Sequence, residues 1–398
     1  LYLIESHIIK NNNNLNDICV KTKNLYNKAN YIIRQEFINH GNYITVYDMY
    51  TIMKDHVEYK DLLSRIARPT LRILNANWKS FFNAMKEWKK NPNRFTGKPN
   101  LPKYLPKNSK FTAILVDNAV KTKNLEKEGY IELYKTGIKL PFQNKSKKII
   151  EVQVKPLKTK KYKINIVYKY DEKPLKLDNS KYCSVDLGVN NLMAITSNEK
   201  VVKPIIINGR PLKSINQYYN KKLSKLQSKL PKKTFISKRL YLLTEKRNNK
   251  INNYLHNASK YLVDFCLKND LNTIIIGYNK SWKQNVNMGK KNNQNFVQIP
   301  FYKLIQMIEY KALKEGLNVK LNEESFTSKC SFIDGEELKK HKEYCGKRVS
   351  RGMFKSKENI LINADLNASY NILKKVVPEF KWDRGCAVHP ELITIGSN

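Results

Sequence analysis

The hydrophobic period of this chain changes twice, and those changes constrain its fold more than any single motif. From Leu15 to Phe37, the apolar residues Leu15, Ile18, Leu25, Ala29, Ile32, Ile33 and Phe37 fall on one helical face, and Gly41 closes the segment. A second helix is predicted from about Thr45. The clearest helix carries Leu71, Leu74, Trp78, Phe81, Phe82, Met85 and Trp88 at three- and four-residue steps, with Pro69 expected in its first turn. Residues 91–110 then break the pattern with Pro92, Gly97, Pro99, Pro102 and Pro106 among Arg94, Lys98, Lys103, Lys107 and Lys110. That segment reads either as a solvated linker or as a rigid basic loop lying along a phosphate backbone; Phe95 and Tyr104 among the lysines favour the second. From Phe111 to about Tyr170 the period is two, with Ile150, Val152 and Val154 alternating against Ile149, Glu151 and Gln153. Short strands between turn signals predict a small β-barrel or sandwich, which residues 1–9 return to complete.

The third block starts near Tyr182. Strands are predicted at Tyr182–Leu187, Leu192–Thr196 and Val201–Ile207, followed by a Lys-rich helical stretch from Leu212 to Lys268 that Pro231 divides. Thr273–Ile276 is short and wholly apolar, as in a strand buried on both faces. A helix over Phe301–Lys314, a strand over Leu317–Leu321 and a last helix opening at Asn363 or Ala364 complete the set. Three strands, a helix, a strand, a helix, a strand and a helix is the order of an RNase H-like domain, a three-layer α/β architecture.

Charge narrows the class of partner. Lys plus Arg is 74 against 34 Asp plus Glu, a formal net charge of +40 over 398 residues. Such a chain repels itself when alone, so a polyanion is the expected partner, and nucleic acid fits a charge spread along the whole length better than a membrane surface does. An aromatic content of 11% argues against a disordered basic tail. No apolar run approaches a membrane span, and no signal peptide is visible. The chain opens on Leu1 and not Met, so a few preceding residues are expected in the natural protein. Six scattered cysteines without a CxxC pair point to a reducing, cytoplasmic setting. Cys330, His341 and Cys345 lie close in sequence, but their spacing does not match a zinc ribbon, and bound zinc is not expected. Lys221, Lys222, Lys225, Lys229, Lys232, Lys233, Lys238, Arg239, Lys246, Arg247 and Lys250 crowd the long helices without matching acids, as expected of a nucleic-acid channel.

Few acids are placed for chemistry. Asp186 lies in an apolar strand, in SVDLGVNN, where a carboxylate is costly unless paired or metal-bound. Asp365 opens the last helix in LINADLNASYNI, where an ordinary N-terminal Asp is the plain alternative. The strand Leu317–Leu321 runs into Glu323 and Glu324, and in an RNase H-like sheet it lies beside the strand ending at Ile276. A carboxylate from either residue can therefore reach the same place, and Asp334 or Glu336 are the further candidates.

SVDLGVNNLMAIT, SFTSKCS, INADLNASYNI and the Pro-rich RFTGKPNLPKY together resemble the TnpB proteins of insertion sequences, which are related to the Fanzor proteins and type V CRISPR effectors. The resemblance covers residues 10 to 376. It implies an α+β multidomain RNA-guided DNA endonuclease, with guide RNA and target double-stranded DNA as partners, no small-molecule substrate and no membrane association. Its implied parts are a β-barrel wedge domain (1–9 and 110–178), a helical recognition domain (10–109) and a RuvC nuclease domain (179–324 and 359–376). A degenerate zinc-ribbon-like insertion (325–358) and a C-terminal tail (377–398) complete it. Two Mg²⁺ ions held by acids are implied, for two-metal hydrolysis beside a short duplex motif. The chain departs from the family pattern at Gly277, where the second RuvC motif ordinarily ends in Glu, and in lacking the four-Cys ribbon. Members with a relocated acid carry Glu three residues before the Thr of the TSK motif. That position is Glu324, ahead of Glu323, so Asp186, Glu324 and Asp365 form the expected metal-binding catalytic set. The alternative is a guided DNA-binding repressor without cleavage. Trp282, Lys283, Gln284 and Lys290 to Gln294 are expected near the cleft, and Lys347, Arg348, Arg351 and Lys355 in the insertion are expected to handle substrate strands.

Overall fold

Side-chain caps and one glycine fix where the first helices begin and end. The structure, a computed structural model, describes all residues except 145–147, 172, 177, 232–236, 280–293, 295, 351, 382–387 and 397–398. Lys232, Lys233, Trp282, Lys283, Gln284, Lys290, Arg351 and Cys386 therefore lie outside the described residues. The chain divides into two compact units, Leu1–Asp171 and Glu172–Asn398.

In the first unit, β1 (Tyr2–Lys10) is followed by α1 (Asn13–His40), α2 (Val46–Met53), α3 (Val57–Lys60) and α4 (Ser64–Lys90). Then come β2 (Ala113–Val116), β3 (Val120–Lys121), α5 (Leu125–Glu128), β4 (Tyr130–Leu133), β5 (Ile138–Pro141), β6 (Ile149–Pro156) and β7 (Lys161–Lys169). The Asn12 side chain accepts from Leu15 N–H to start α1, and Gly41, at φ 72, supplies the left-handed turn that ends it. Helix α4 starts at Ser64, a turn earlier than predicted, because Ile66 and Ala67 extend its buried face; Pro69 thus lies in the second turn. The N-terminal strand returns as expected, pairing along its whole length with β7. The strands pair as two antiparallel sheets, β1–β7–β6–β2 and β3–β4–β5. Helix and strand residues share one core, in which Leu15, Cys19, Leu74 and Trp78 join Leu115, Val154 and Ile164.

The Pro- and Lys-rich segment is not a solvated linker. Asn30 and Arg34 of α1 both donate to Pro102 O at 3.0 Å, Asn27 makes reciprocal bonds with the Leu105 backbone at 2.8 Å, and Lys23 donates to Lys107 O at 2.8 Å. These side chains step along one face of the helix, so α1 holds the loop by its carbonyls and leaves the loop lysines their charge.

The second unit contains β8 (Tyr182–Leu187), β9 (Asn191–Ser197), β10 (Ile205–Asn208), α6 (Arg210–Gln227), α7 (Lys238–Lys268), β11 (Thr273–Gly277) and α8 (Phe301–Lys314). After them come β12 (Asn318–Asn322), β13 (Lys347–Ser350), β14 (Met353–Lys355), β15 (Leu361–Asn363), α9 (Ala364–Val376) and β16 (Glu391–Ile393). The element order is the one predicted up to β12; β13, β14 and β15, which pair as a small separate sheet before α9, were not predicted. Six strands lie in the order β12–β11–β8–β9–β10–β16; β8, β9 and β10 are antiparallel, whereas β11 runs parallel to both β8 and β12. Strand alternation explains the layers. Ile274 and Ile276 face a core with Leu255, Leu262, Leu304 and Ile308 from α7 and α8, whereas Ile275 faces one with Leu366, Tyr370 and Ile372 from α9. The sheet is thus covered on both sides. The tail contributes a strand that sequence reasoning left unassigned, β16, paired parallel to β10.

Candidate active site

Val185 and Leu187 of β8 point into the α7–α8 core, so Asp186 between them must face α9. Its cross-strand partner is Ala194, which belongs to the core on the α9 side of the sheet. Asp186 is half-buried. Burial pushes its carboxyl well above the usual range, and the charges of Asp365 and Glu324 push the same way, against a weaker pull from Arg348.

Asp365 is the second residue of α9, and it is not the cap. Asn363 takes that role, its side chain accepting from Asp365 N–H at 2.9 Å and Leu366 N–H at 3.3 Å. The Asp365 carboxylate is thereby left to face outward. Its Oδ2 accepts from Asn191 Nδ2 at 2.7 Å, and Arg348 of β13 approaches Oδ1 at 3.7 Å.

Glu324 follows the end of β12. Strands β11 and β12 are parallel, with Gly277 opposite Asn322, so their C-terminal ends are neighbours. A Cβ added at Gly277 would stand 2.7 Å from Glu324 Oε2 and 2.5 Å from Ile372 Cδ1. The Glu324 carboxylate therefore fills the space into which a side chain at 277 would project. Its Oε2 is buried and has no hydrogen-bond partner. Asn279 supports the backbone at this point, accepting from Glu324 N–H at 3.2 Å, with its Nδ2 at 3.5 Å from Oε1. Burial, with a contribution from Glu323 and against Lys375, raises the Glu324 carboxyl to about 7. Glu323 points elsewhere: it is exposed and pairs with Lys375 at 3.0 Å.

The TSK loop holds Glu324 in place. Thr327 Oγ1 donates to Glu324 O at 2.8 Å. Two fully buried asparagines of α9 fix the rest: Asn367 exchanges bonds with Phe332 N–H and Cys330 O, and Asn371 donates to Thr327 O and Cys330 O. Sequence reasoning missed this pair, although the i, i+4 spacing of asparagines in an otherwise apolar helix face was its signal.

The three acids share a field without closing on a point. Among the described residues no group of three or more His, Cys, Asp or Glu stands close enough to hold a metal ion. The site still fits a divalent cation: one carboxylate oxygen is buried and unpartnered, and burial first, then the charges of Asp365 and Glu324, raise the Asp186 carboxyl.

The insertion is organised differently. Glu336 is buried, with Oε2 accepting from Ser331 N–H at 2.7 Å and Oε1 from Cys345 N–H at 3.0 Å. One carboxylate thus bridges the residue after Cys330 and Cys345 itself. The Cys330 thiol donates to the Glu337 and Lys339 carbonyls, and His341 Nε2 lies 2.7 Å from Glu337 O. Asp334 accepts from Lys357 N–H at 2.9 Å. Both alternative acids are therefore engaged by backbone amides inside the insertion. Of the helix cations, Lys221, Lys222, Lys225, Lys229, Lys238, Arg239, Lys246 and Lys250 are exposed or partly so. Arg247 is half-buried and tied down: its guanidinium donates to Asn216 Oδ1 and Gln298 O at 2.8 and 2.9 Å and lies over Tyr219, while its Nη1 donates to Asn248 Oδ1 at 2.9 Å.

Two family models match this chain: a probable transposase of the OrfB_IS605 kind over residues 165–283, and the Cas12f1-like TNB domain over residues 301–372. A TnpB-like protein of Methanocaldococcus jannaschii is 32% identical over 208 residues, which is 46% of this chain and 69% of that protein. The chain belongs to the TnpB-like family. A TnpB-like protein of Acidianus two-tailed virus is 24% identical across 89% of this chain and 81% of its own. The CRISPR-associated endodeoxyribonuclease Cas12f2 of a Micrarchaeota archaeon is 26% identical over 54% of this chain and 41% of its own. The fold of this TnpB-like chain is also that of the protein in a Cas12f1–sgRNA–target DNA complex, with a TM-score of 0.59 at 17% identity over 89% of this chain and 81% of the other. No helix among the described residues is long and apolar enough to cross a membrane.

Proposed function

We propose that this chain is a transposon-associated, RNA-guided DNA endonuclease whose hydrolytic centre is Asp186, Glu324 and Asp365. The observation that carries this reading is the gathering of these acids at the C-terminal ends of β8 and β12 and the N-terminus of α9, with the Glu324 carboxylate in the space above Gly277. Two Mg²⁺ ions held by these acids would polarise the scissile phosphate and activate water. The chain's own residues orient the ligands: Asn191 holds Asp365, Asn279 supports Glu324, and Arg348 sets a cation beside Asp365, from which it would also meet an incoming phosphate. In this reading the β8–β12 sheet with α7, α8 and α9 is a RuvC domain of the RNase H-like kind, spanning 179–324 and 359–376. Residues 325–358 are its zinc-free ribbon-like insertion. The strands of 1–9 and 110–178 form a wedge, and the helices of 10–109 a recognition region. Guide RNA would supply sequence by base pairing, while exposed lysines of α6 and α7 and of the Pro-rich loop hold backbone.

The test compares cleavage with guided binding. Asp186→Ala and Asp365→Ala ribonucleoproteins should bind guide-matched double-stranded DNA as the wild type does and cleave none of it in Mg²⁺. Near-normal cleavage by either variant removes that residue from the centre, and equal binding to matched and unmatched DNA refutes guidance.

A further inference from the structure

One layer below the acids, the interface between the sheet and α9 contains three hydroxyls closed off from solvent. Ser184, Thr196 and Ser369 are 0%, 1% and 0% exposed. Ser184 Oγ donates to Ser369 O at 2.8 Å, and Ser369 Oγ donates to Ser184 O at 3.1 Å, so strand and helix are clasped reciprocally. Thr196, the cross-strand partner of Ser184, has its Oγ1 2.6 Å from Ser184 Oγ and 2.9 Å from Ser369 Oγ.

These residues stand in a fixed relation to the acids. Ser184 is two residues before Asp186 on the same face of β8, and Ser369 is four residues after Asp365 on the same face of α9. Two strand residues advance about 6.6 Å, and four helical residues about 6.0 Å. A strand and helix pinned side by side at the hydroxyls, and running in opposite senses, therefore bring the two carboxylates level one step away. Apolar packing alone is non-directional and tolerates sliding. Hydrogen bonds of this length do not, because a slip of one helical residue, about 1.5 Å, would break the clasp.

We propose that Ser184, Thr196 and Ser369 are positioning residues for the acid pair, fixing the register of α9 on β8 and with it the separation of the Asp186 and Asp365 carboxylates. The inference rests on the reading of those two acids as metal ligands. The hydroxyls touch neither metal nor substrate, and they act through the backbones that carry the acids.

The test uses the full chain and two readouts. One is Mn²⁺ binding to the nucleic-acid-free protein, followed by electron paramagnetic resonance. The other is single-turnover cleavage of matched DNA by the guide-RNA complex at saturating Mg²⁺. Ser184→Ala/Thr196→Val/Ser369→Ala removes all three hydroxyls together, so none is stranded in the core. It should keep a cooperative thermal transition and wild-type DNA affinity. Its Mn²⁺ affinity should fall roughly tenfold, and its cleavage rate roughly tenfold to a hundredfold. Thr196→Ser, which keeps the hydroxyl, should match the wild type in both readouts. A folded triple variant with wild-type Mn²⁺ affinity and rate overturns the proposal. If the triple variant does not fold, Thr196→Val against Thr196→Ser decides: weakened binding and rate in Val alone support it, and equality of the two overturns it. Asp186→Ala is measured alongside. If it binds Mn²⁺ and cleaves normally, the ligand reading has failed and the inference falls with it. If it is inactive while the triple variant is normal, only the inference falls.

Discussion

Glu324 and Glu336 lie twelve residues apart, both turned inward, and they have opposite surroundings. Glu336 meets two backbone amides, one on each oxygen. Glu324 leaves one oxygen buried and bare, and its carboxyl is pushed up to about 7. A carboxylate satisfied by amides is a structural cross-link, here joining Ser331 to Cys345. A carboxylate left unsatisfied within the field of Asp186 is, in the proposed reading, one that a bound cation would satisfy. Burial alone does not separate the two cases; the inventory of donors around each oxygen does.

The contrast can be broken most sharply at the acid cluster. Asp186→Asn should abolish cleavage, a loss of several kcal/mol of transition-state stabilisation or on the order of a thousandfold in rate. The same change should make the metal-free protein more heat-stable at pH 8, because it removes a charge that burial and two neighbouring acids oppose. Thermal unfolding in a chelator checks the second half, and a destabilised Asp186→Asn would contradict the contrast.

Glu336→Ala should behave in the reverse sense. It strands the buried Ser331 amide, at about 1–3 kcal/mol for a buried unsatisfied group, and hands the Cys345 amide to water. Stability should fall and hydrogen exchange across 325–358 should rise, with the Mg²⁺ dependence of residual cleavage unchanged. A variant of wild-type stability would mean that other contacts carry the insertion.

A smaller effect concerns pH. Glu324 in the unfolded chain titrates near 4.5, and in the folded chain near 7. Between those values the native state keeps a proton that the unfolded state has lost, so its contribution to stability is full below about 4.5 and disappears as pH rises through 7. Denaturant titrations in chelator should show wild-type stability falling across that window, and Glu324→Gln should flatten the fall. The smallest expected effect is that of a zinc-selective chelator. With Glu336 and backbone carbonyls occupying the insertion's polar groups, its melting temperature should not move; a clear drop would restore zinc to the Cys330–Cys345 region.

Much of this was legible in the sequence, for definite reasons. The wholly apolar Thr273–Ile276 had to be a central strand, and an acid inside SVDLG had to face something other than core. The choice of Glu324 over Glu323 came from the resemblance, not from the residues alone, and the two side chains do point apart, one to Lys375 and one to Gly277. What the sequence concealed was long-range pairing. That Asn27, Asn30 and Arg34 grip a proline loop some seventy residues away, or that Glu336 joins Ser331 to Cys345, depends on which carbonyls and amides the fold leaves unpaired. Arg247 looked like one more surface cation because nothing local marks Asn216 and Gln298 as its acceptors. The early start of α4 reflects the burial of Ile66 and Ala67, to which a start rule based on proline is blind.

The central claim is that the third acid has moved from position 277 to Glu324. Its most direct test is cleavage of guide-matched DNA in Mg²⁺ by Glu324→Gln and Glu323→Gln ribonucleoproteins, with Gly277→Glu added to each. Glu324→Gln should be as inactive as Asp186→Ala, and Glu323→Gln should stay close to wild type. Gly277→Glu should return some activity to the first, since the groups that must yield to it are the flexible ends of Ile372 and of the side chain at position 324. Wild-type cleavage by Glu324→Gln, or a greater loss in Glu323→Gln, would contradict the claim.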